Sequence, residues 1–358
     1  CNFFIDDLQA ILLNKSFPKS TKKIYFSSNK NNKLRNIETW NEISNIFFDN
    51  LNNSFIKNIF SYYSSENILK IKPLKDGKNS SVFKIKTNKN EFFFKNYKFN
   101  RFNLRNRIDC EYISYKFLLK NKINIVPKPL WKDQDLNIAI YSWINGKKII
   151  NPKIKNVKEI INFINKLKLL SHSKNSNNFS FNASAACFSG HDIEKQLLDR
   201  YNNIYKNILV KKNKLLHKFL KENLKPTINQ VLKTAKIKLT SKFYKKIIKK
   251  KMLLSPSDLG FHNIIVSNNK LNYIDFEYFG WDDPVKLTSD FLLHPGMFLT
   301  KNLKKLWLSE MLELFSDDKS FKIRLKWYYY LYALCWSLIQ LNDYLDSNNN
   351  LKTTSHMA

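Results

Sequence analysis

An aspartate and an asparagine stand five residues apart in the stretch Leu254-Ser255-Pro256-Ser257-Asp258-Leu259-Gly260-Phe261-His262-Asn263. Twelve residues beyond Asn263, Asp275-Phe276-Glu277 closes the apolar run Leu271-Asn272-Tyr273-Ile274. A carboxylate held in a loop can orient a hydroxyl group and receive its proton. An amide oxygen and a second carboxylate are hard donors that suit Mg²⁺ on phosphate oxygens. Asp258, Asn263 and Asp275 in this order therefore match what phosphoryl transfer from ATP to a hydroxyl requires. Such a site also needs a cation on the nucleotide phosphates.

The elements that would position these groups are legible from the hydrophobic period. Residues 68–71, 81–87 and 91–97 alternate as three strands, joined by turns at Asp76-Gly77 and Asn88-Lys89-Asn90. A helix is predicted over 105–119, and two more strands bracket Trp131 to Asp135, the second over 137–143. Beyond Gly146 the chain reads as helices near 155–170, 191–223, 226–250, 301–315 and 320–345, with a strand pair at 263–266 and 271–274. The Asn- and Ser-rich stretch from Ser171 to Ser184 reads as a loop. Residues 1–60 form a separate β-α-β-α pattern, with strands Phe3-Phe4-Ile5 and Lys23-Ile24-Tyr25-Phe26, helix 8–13, then a polar loop and a helix near Trp40 to Phe48. The expected architecture is α+β: the 1–60 segment, a β-rich lobe over 61–146 and a helical lobe over 147–350.

Composition narrows the classes. The 358 residues are 43% hydrophobic and 15% aromatic, ample for a packed core in two or three domains. The longest apolar run, Tyr328 to Leu341, is interrupted by Ser337 and Gln340 and is too short to span a bilayer. Cys1, Cys110, Cys187 and Cys335 are scattered without metal-ligand spacing, as expected of reduced thiols in a cytoplasmic protein. Net charge is +32, from 61 basic and 29 acidic residues. Phosphate neutralisation on nucleic acid is one reading. Dispersed lysine enriched together with asparagine, isoleucine and phenylalanine points instead to biased composition, and nucleic acid is not the expected partner. The patch Lys245-Lys246 with Lys249-Lys250-Lys251 reads as a solvated helix face. The first methionine is Met252, which suggests a piece of a longer polypeptide or a processed chain, with an upstream domain in the same polypeptide.

Five strands with a helix after the third is the order of a kinase amino-terminal lobe. With the block Ser255 to Pro295, it makes residues 66–345 resemble the aminoglycoside phosphotransferase and choline kinase-like family, which has a bilobal protein-kinase-like fold. The resemblance implies Asp258 as the catalytic carboxylate, Asn263 and Asp275 as Mg²⁺ ligands, and Lys95 on the α- and β-phosphates. It also implies Glu111 as the partner fixing Lys95, with Arg107 four residues earlier on the same helix face. Ser80 and Ser81 follow the single-glycine loop Lys75-Asp76-Gly77-Lys78-Asn79, in place of a phosphate-covering loop. Ser142 to Ile144 correspond to the inter-lobe hinge, whose backbone would bond adenine. A strand ending in an Asn145-Gly146 turn has the same geometry without a ligand. Asp283 and Asp290 would support the catalytic loop, while His262, His172 and His294 read as loop or structural residues. Two departures stand out: Pro256 where the family commonly has His, and Glu277 where protein kinases have Gly.

The expected activity is ATP- and Mg²⁺-dependent transfer to a small-molecule hydroxyl acceptor, with ATP between the lobes. A sugar, an amino alcohol or a cell-surface precursor is expected rather than a polycationic antibiotic, because no acidic cluster lies outside the metal site. The alternatives are a catalytically silent nucleotide-binding module of a larger protein and a basic nucleic-acid-binding protein. Asp6-Asp7 at a strand end resembles the last acidic motif of haloacid-dehalogenase-like (HAD) phosphatases, which would make 1–60 the end of such a domain. It equally suits a helix cap.

Overall fold

The computed structural model describes residues 3–14, 22–27, 35–37, 53–74, 79–98, 105–210 and 213–342. The helix expected near Trp40 and the turn at Asp76-Gly77 lie outside them. The chain divides into two compact units, residues 1–112 with 128–143 and residues 113–127 with 144–358.

In the first unit, strands β1 (Phe3–Asp6), β2 (Lys22–Phe26) and β3 (Arg35–Ile37) form a parallel sheet in that order. The third falls in a stretch expected to be polar loop. Asp6 Oδ1 accepts the N–H of Leu8 at 2.8 Å, just before the short helix α1 (Gln9–Leu12).

Helix α2 (Asn53–Tyr63) presents Ile56, Ile59 and Phe60 on one face, at the spacing of a single apolar stripe. The helix spans the boundary expected at residue 60. Its stripe packs on Phe83, Ile85, Phe92, Phe94, Ile138 and Ile140. These belong to an antiparallel five-stranded sheet with strand order β4-β5-β6-β8-β7: β4 (Ile68–Pro73), β5 (Ser80–Thr87), β6 (Glu91–Tyr97), β7 (Pro129–Asp133) and β8 (Ile138–Ser142). Side chains alternate along a strand, so Phe92 and Phe94 facing α2 place Phe93, Lys95 and Tyr97 on the opposite face. Helix α3 (Arg107–Lys120) carries Glu111 toward that second face.

The second unit is helical around two small sheets. Hairpin strands β11 (Ile264–Ser267) and β12 (Lys270–Tyr273) turn at Asn268 and Asn269, both left-handed (φ 49° and 57°), as a two-residue hairpin requires. Strand β9 (Lys147–Lys148) pairs with β11. Gly146 allows this approach: a Cβ there would sit 2.3 Å from the Val266 carbonyl oxygen. Strand β10 (Leu253–Ser255) pairs antiparallel with β13 (Gly280–Asp282). Around them lie α4 (Ile154–Ser171), α5 (Gly190–Val210), α6 (Lys214–Phe219), α7 (Lys225–Leu239), α8 (Pro284–Leu293), α9 (Lys301–Leu314) and α10 (Phe321–Leu341).

Two predicted helices are corrected. The one expected over 191–223 ends at Val210 and resumes at Lys214. The one expected over 226–250 stops at Leu239, where Thr240 turns left-handed (φ 51°). The lysine patch is therefore not a helix face: a 3₁₀ turn covers Lys249–Lys251, Lys249 Nζ lies 3.2 Å from the Trp281 ring centroid, and Lys251 pairs with Asp318 at 2.6 Å. Trp281 supplies the face that accepts a cation.

Candidate active site

Strand β10 delivers Asp258 from inside the second unit. Leu253, Leu254 and Ser255 are buried, and the Leu254 N–H donates to Ser171 Oγ at 2.8 Å. After it, Ser257 takes a left-handed conformation (φ 64°), uncommon for a residue with a side chain. The Ser257 N–H donates to Ser255 Oγ at 3.1 Å, and its hydroxyl donates to the Ser184 carbonyl at 3.4 Å. Pro256 restricts the same turn through its fixed φ, and its carbonyl accepts the Asp258 N–H at 2.8 Å. Such strain persists only where the surroundings hold it, and it concentrates at functional sites.

Asn263 reaches back across this loop. Its Nδ2 donates to the Asp258 carbonyl oxygen at 3.0 Å and to Asp258 Oδ2 at 3.3 Å. Both partners are acceptors, so the amide nitrogen must face Asp258 and Oδ1 turns away. The Asn263 carbonyl accepts the Ile274 N–H at 3.0 Å, which ties the loop to the end of the hairpin carrying Asp275. Asp275 is itself left-handed (φ 67°), and its N–H donates to Tyr115 Oη at 2.8 Å. Asn263 Oδ1 and the Asp275 carboxylate are hard oxygen donors, a set that fits Mg²⁺ and not a soft metal.

Two histidines flank Asp258. His262 Nε2 lies 3.5 Å from Asp258 Oδ1, and its ring stacks on His294 with centroids 4.8 Å apart. His294 Nδ1 accepts the Gly296 N–H at 3.0 Å, so that nitrogen carries no proton and neutral His294 is protonated on Nε2. Gly260 makes room for the stack, since a Cβ there would come within 2.4 Å of the His262 ring. Burial raises the Asp258 pKa, but the hydrogen bond and charge of His262, then His294 and Asn263, outweigh it and leave the carboxyl below its ordinary value. His294 is lowered by burial and by His262. Asp258 is consequently ionised at neutral pH and can accept a hydrogen bond.

In the first unit, Lys95 Nζ donates to Glu111 Oε2 at 2.7 Å, with both residues buried. Tyr97 Oη donates to the same oxygen at 2.7 Å and lies 2.6 Å from Tyr141 Oη. Burial, and then the negative charge of Glu111, holds both phenols well above their ordinary pKa, so they stay neutral donors. Arg107 Nη1 donates to the Lys98 carbonyl at 3.4 Å. Ser80 and Ser81 open β5 and are nearly buried, while residues 75–78 before them are not described. The Ser142 N–H is committed to the Lys128 carbonyl at 2.9 Å, and the Trp143 N–H to Glu91 at 3.2 Å. Both N–H groups are thus taken up by backbone pairing within the first unit.

Asp283 and Asp290 take partners other than the catalytic loop. Asp283 caps α8 through Val285 N and receives Arg324 Nε and Nη2 at 2.9 and 3.0 Å. Asp290 pairs with Lys286 at 2.5 Å and accepts Trp336 Nε1 at 2.8 Å. They brace the helices that follow β13, the partner strand of β10. Sequence reading missed the role of His294 beside Asp258, and those of Tyr97, Tyr141 and Tyr115. Only Tyr97 carried a local signal, two residues beyond Lys95 on the same strand face.

No family model and no curated protein sequence matches the chain. Solved structures do. Spectinomycin phosphotransferase APH(9)-Ia, solved with ADP and spectinomycin, is 13% identical, with a TM-score of 0.59 over 85% of this chain and 92% of that one. The streptomycin–ATP complex of APH(2″)-IIa is 18% identical, with a TM-score of 0.56 over 84% and 92%. Choline kinase from Cryptosporidium parvum is 15% identical, with a TM-score of 0.52 over 84% and 88%. The chain thus has the protein-kinase-like α+β fold of the aminoglycoside phosphotransferases and choline kinases. Among the described residues, no helix is long and apolar enough to cross a membrane.

Proposed function

We propose that the chain is an ATP- and Mg²⁺-dependent phosphotransferase that phosphorylates a hydroxyl of a small molecule in the cytoplasm. The observation that carries this reading is the Asp258–Asn263 pair: an ionised carboxylate held in a strained loop by an amide whose oxygen is turned away from it. Asp258 accepts a hydrogen bond from the acceptor hydroxyl, aligns it, and takes its proton as the oxygen bonds to the γ-phosphorus and the bond to ADP breaks. A carboxylate with a depressed pKa is a weak base, which suits a role in alignment with late proton transfer. Asn263 Oδ1 and Asp275 would hold Mg²⁺, which supplies charge neutralisation on the phosphates. Lys95, fixed by Glu111, would hold the α- and β-phosphates, and Ser80 and Ser81 would donate to the β-phosphate. The acceptor class is a sugar, an amino alcohol or a cell-surface precursor.

The test is an acceptor screen by mass spectrometry, with ATP and Mg²⁺, seeking a gain of about 80 Da on the acceptor. Asp258→Asn should lower turnover about 10²- to 10⁴-fold while ATP still binds and the melting temperature holds. Transfer that survives this substitution would refute the assignment.

A further inference from the structure

The positive charge, expected to be dispersed, is concentrated in one stretch. Residues 201–251 hold sixteen lysines, no arginine and a single acidic residue, Glu222. One-seventh of the chain thus carries nearly half of its net charge of +32. The stretch runs through the end of α5, then α6, a π turn over Leu220–Leu224, α7 and the short turns that follow. Helix α6 starts at a corner capped by Asn213, whose side chain accepts the Leu216 N–H at 3.1 Å.

Helix α6 is apolar on two sides. Its inner side meets α5: His217 Nε2 lies 2.8 Å from Tyr205 Oη, and Tyr201 Oη donates to the carbonyl of buried Leu220 at 3.2 Å. Its outer side carries Leu215, 83% exposed, and Phe219, 45% exposed, four residues apart and so neighbours on the helix surface. Leu209, on the last turn of α5, is half exposed. Lys206, Lys214, Lys218 and Lys221 are exposed and alternate with these side chains along the chain. The one carboxylate of the stretch, Glu222, reaches only Lys218, at 3.9 Å.

Exposed apolar side chains interleaved with lysines are what an anionic lipid surface complements. Lysine stems lie along apolar surface while their ammonium groups reach head-group phosphates. A second copy of the chain would instead set like charge against like. A nucleic acid would engage the lysines but leave Leu215 and Phe219 in water. The stretch also lacks the arginine forks that fix phosphate geometry, whereas flexible point charges suit a fluid layer of head groups.

We propose that the α5–α6 corner docks the protein on an anionic bilayer, with Leu209, Leu215 and Phe219 at the head-group boundary and the surrounding lysines on lipid phosphates. Attachment is peripheral, since among the described residues no helix is long and apolar enough to cross a membrane. The inference does not depend on the phosphotransferase reading, and either can fail without the other.

The experiment sediments the full chain with vesicles of phosphatidylcholine containing phosphatidylglycerol, and with vesicles of phosphatidylcholine alone. The anionic vesicles should bind about tenfold or more tightly than the neutral ones, and added salt should weaken the binding. Leu215→Ser should weaken it about tenfold at an unchanged melting temperature, because so exposed a side chain adds little to the fold. Lys214→Gln combined with Lys221→Gln should weaken it by about the same factor. If Leu215→Ser lowers the melting temperature, Leu209→Ser carries the same test. The inference is overturned if neither vesicle binds, if the two bind alike, or if either the leucine or the lysine variant binds as the unsubstituted protein does. A DNA duplex is titrated in parallel. If it binds more tightly than the anionic vesicles, and Leu215→Ser leaves that affinity unchanged, the stretch is a nucleic-acid surface and the inference fails.

Discussion

Replacing Arg324 by methionine should unfold the second unit at a markedly lower temperature. The guanidinium gives two hydrogen bonds to Asp283, at 2.9 and 3.0 Å, and one to Asp318 at 2.7 Å. Asp283 is fully buried and Arg324 nearly so, so solvent cannot replace the lost partner. Removing one member of a buried ion pair costs about 3–5 kcal/mol, because the other charge stays desolvated. Asp283 keeps the Val285 N–H, and Asp318 keeps Lys251 and Ser320, which places the expected loss near ~4 kcal/mol. For a unit of this size that corresponds to a fall of about 8–16 °C in melting temperature, read by differential scanning calorimetry. Adding Asp283→Asn should recover at least half the deficit, since asparagine still caps the helix but carries no charge. A fall below about 3 °C, or no recovery in the double variant, would refute the argument that an uncompensated charge sets the cost.

Asp282 is fully buried, and burial raises its carboxyl to about 8 despite Lys286 nearby and two backbone donors, Cys187 and Asp283. A raised folded pKa gives stability that is complete below the unfolded value near 4 and lost as pH climbs to 8. Asp282→Asn should therefore gain on the unsubstituted protein by about 1 kcal/mol per pH unit between pH 4 and 8 in urea unfolding; parallel pH curves would contradict this. Gly260→Ala should displace the His262 ring, which a Cβ would approach within 2.4 Å, and should lower turnover while the circular dichroism spectrum holds. Full activity would show that the His262–His294 stack does not shape Asp258. Glu111→Gln should remove the carboxylate charge that Lys95 Nζ meets at 2.7 Å, lowering stability and weakening ATP binding. Unchanged calorimetric affinity for the nucleotide would count against Lys95 as its anchor.

What the sequence determined about this protein is what local spacing encodes. A spacing of five between Asp258 and Asn263 is enough for the amide to fold back on its own loop, and the hairpin after it carries Asp275 at its end. Lys95 in the third strand and Glu111 in the next helix met because strand, turn and helix follow in order, and a period of two puts Tyr97 beside them. The tertiary structure decided what depends on distant chain. His294 reaches Asp258 from the far end of α8, and Arg324 meets Asp283 across 41 residues, so no spacing rule could pair them. Leu239 ends a helix that propensity would have prolonged, because Phe243 must turn back onto Gly190, where a Cβ would lie 2.5 Å from its ring. Lys249 left its expected helix face for the Trp281 ring. Periodicity records which side of an element is apolar, but which remote group meets that side is fixed only when the packed elements exclude water.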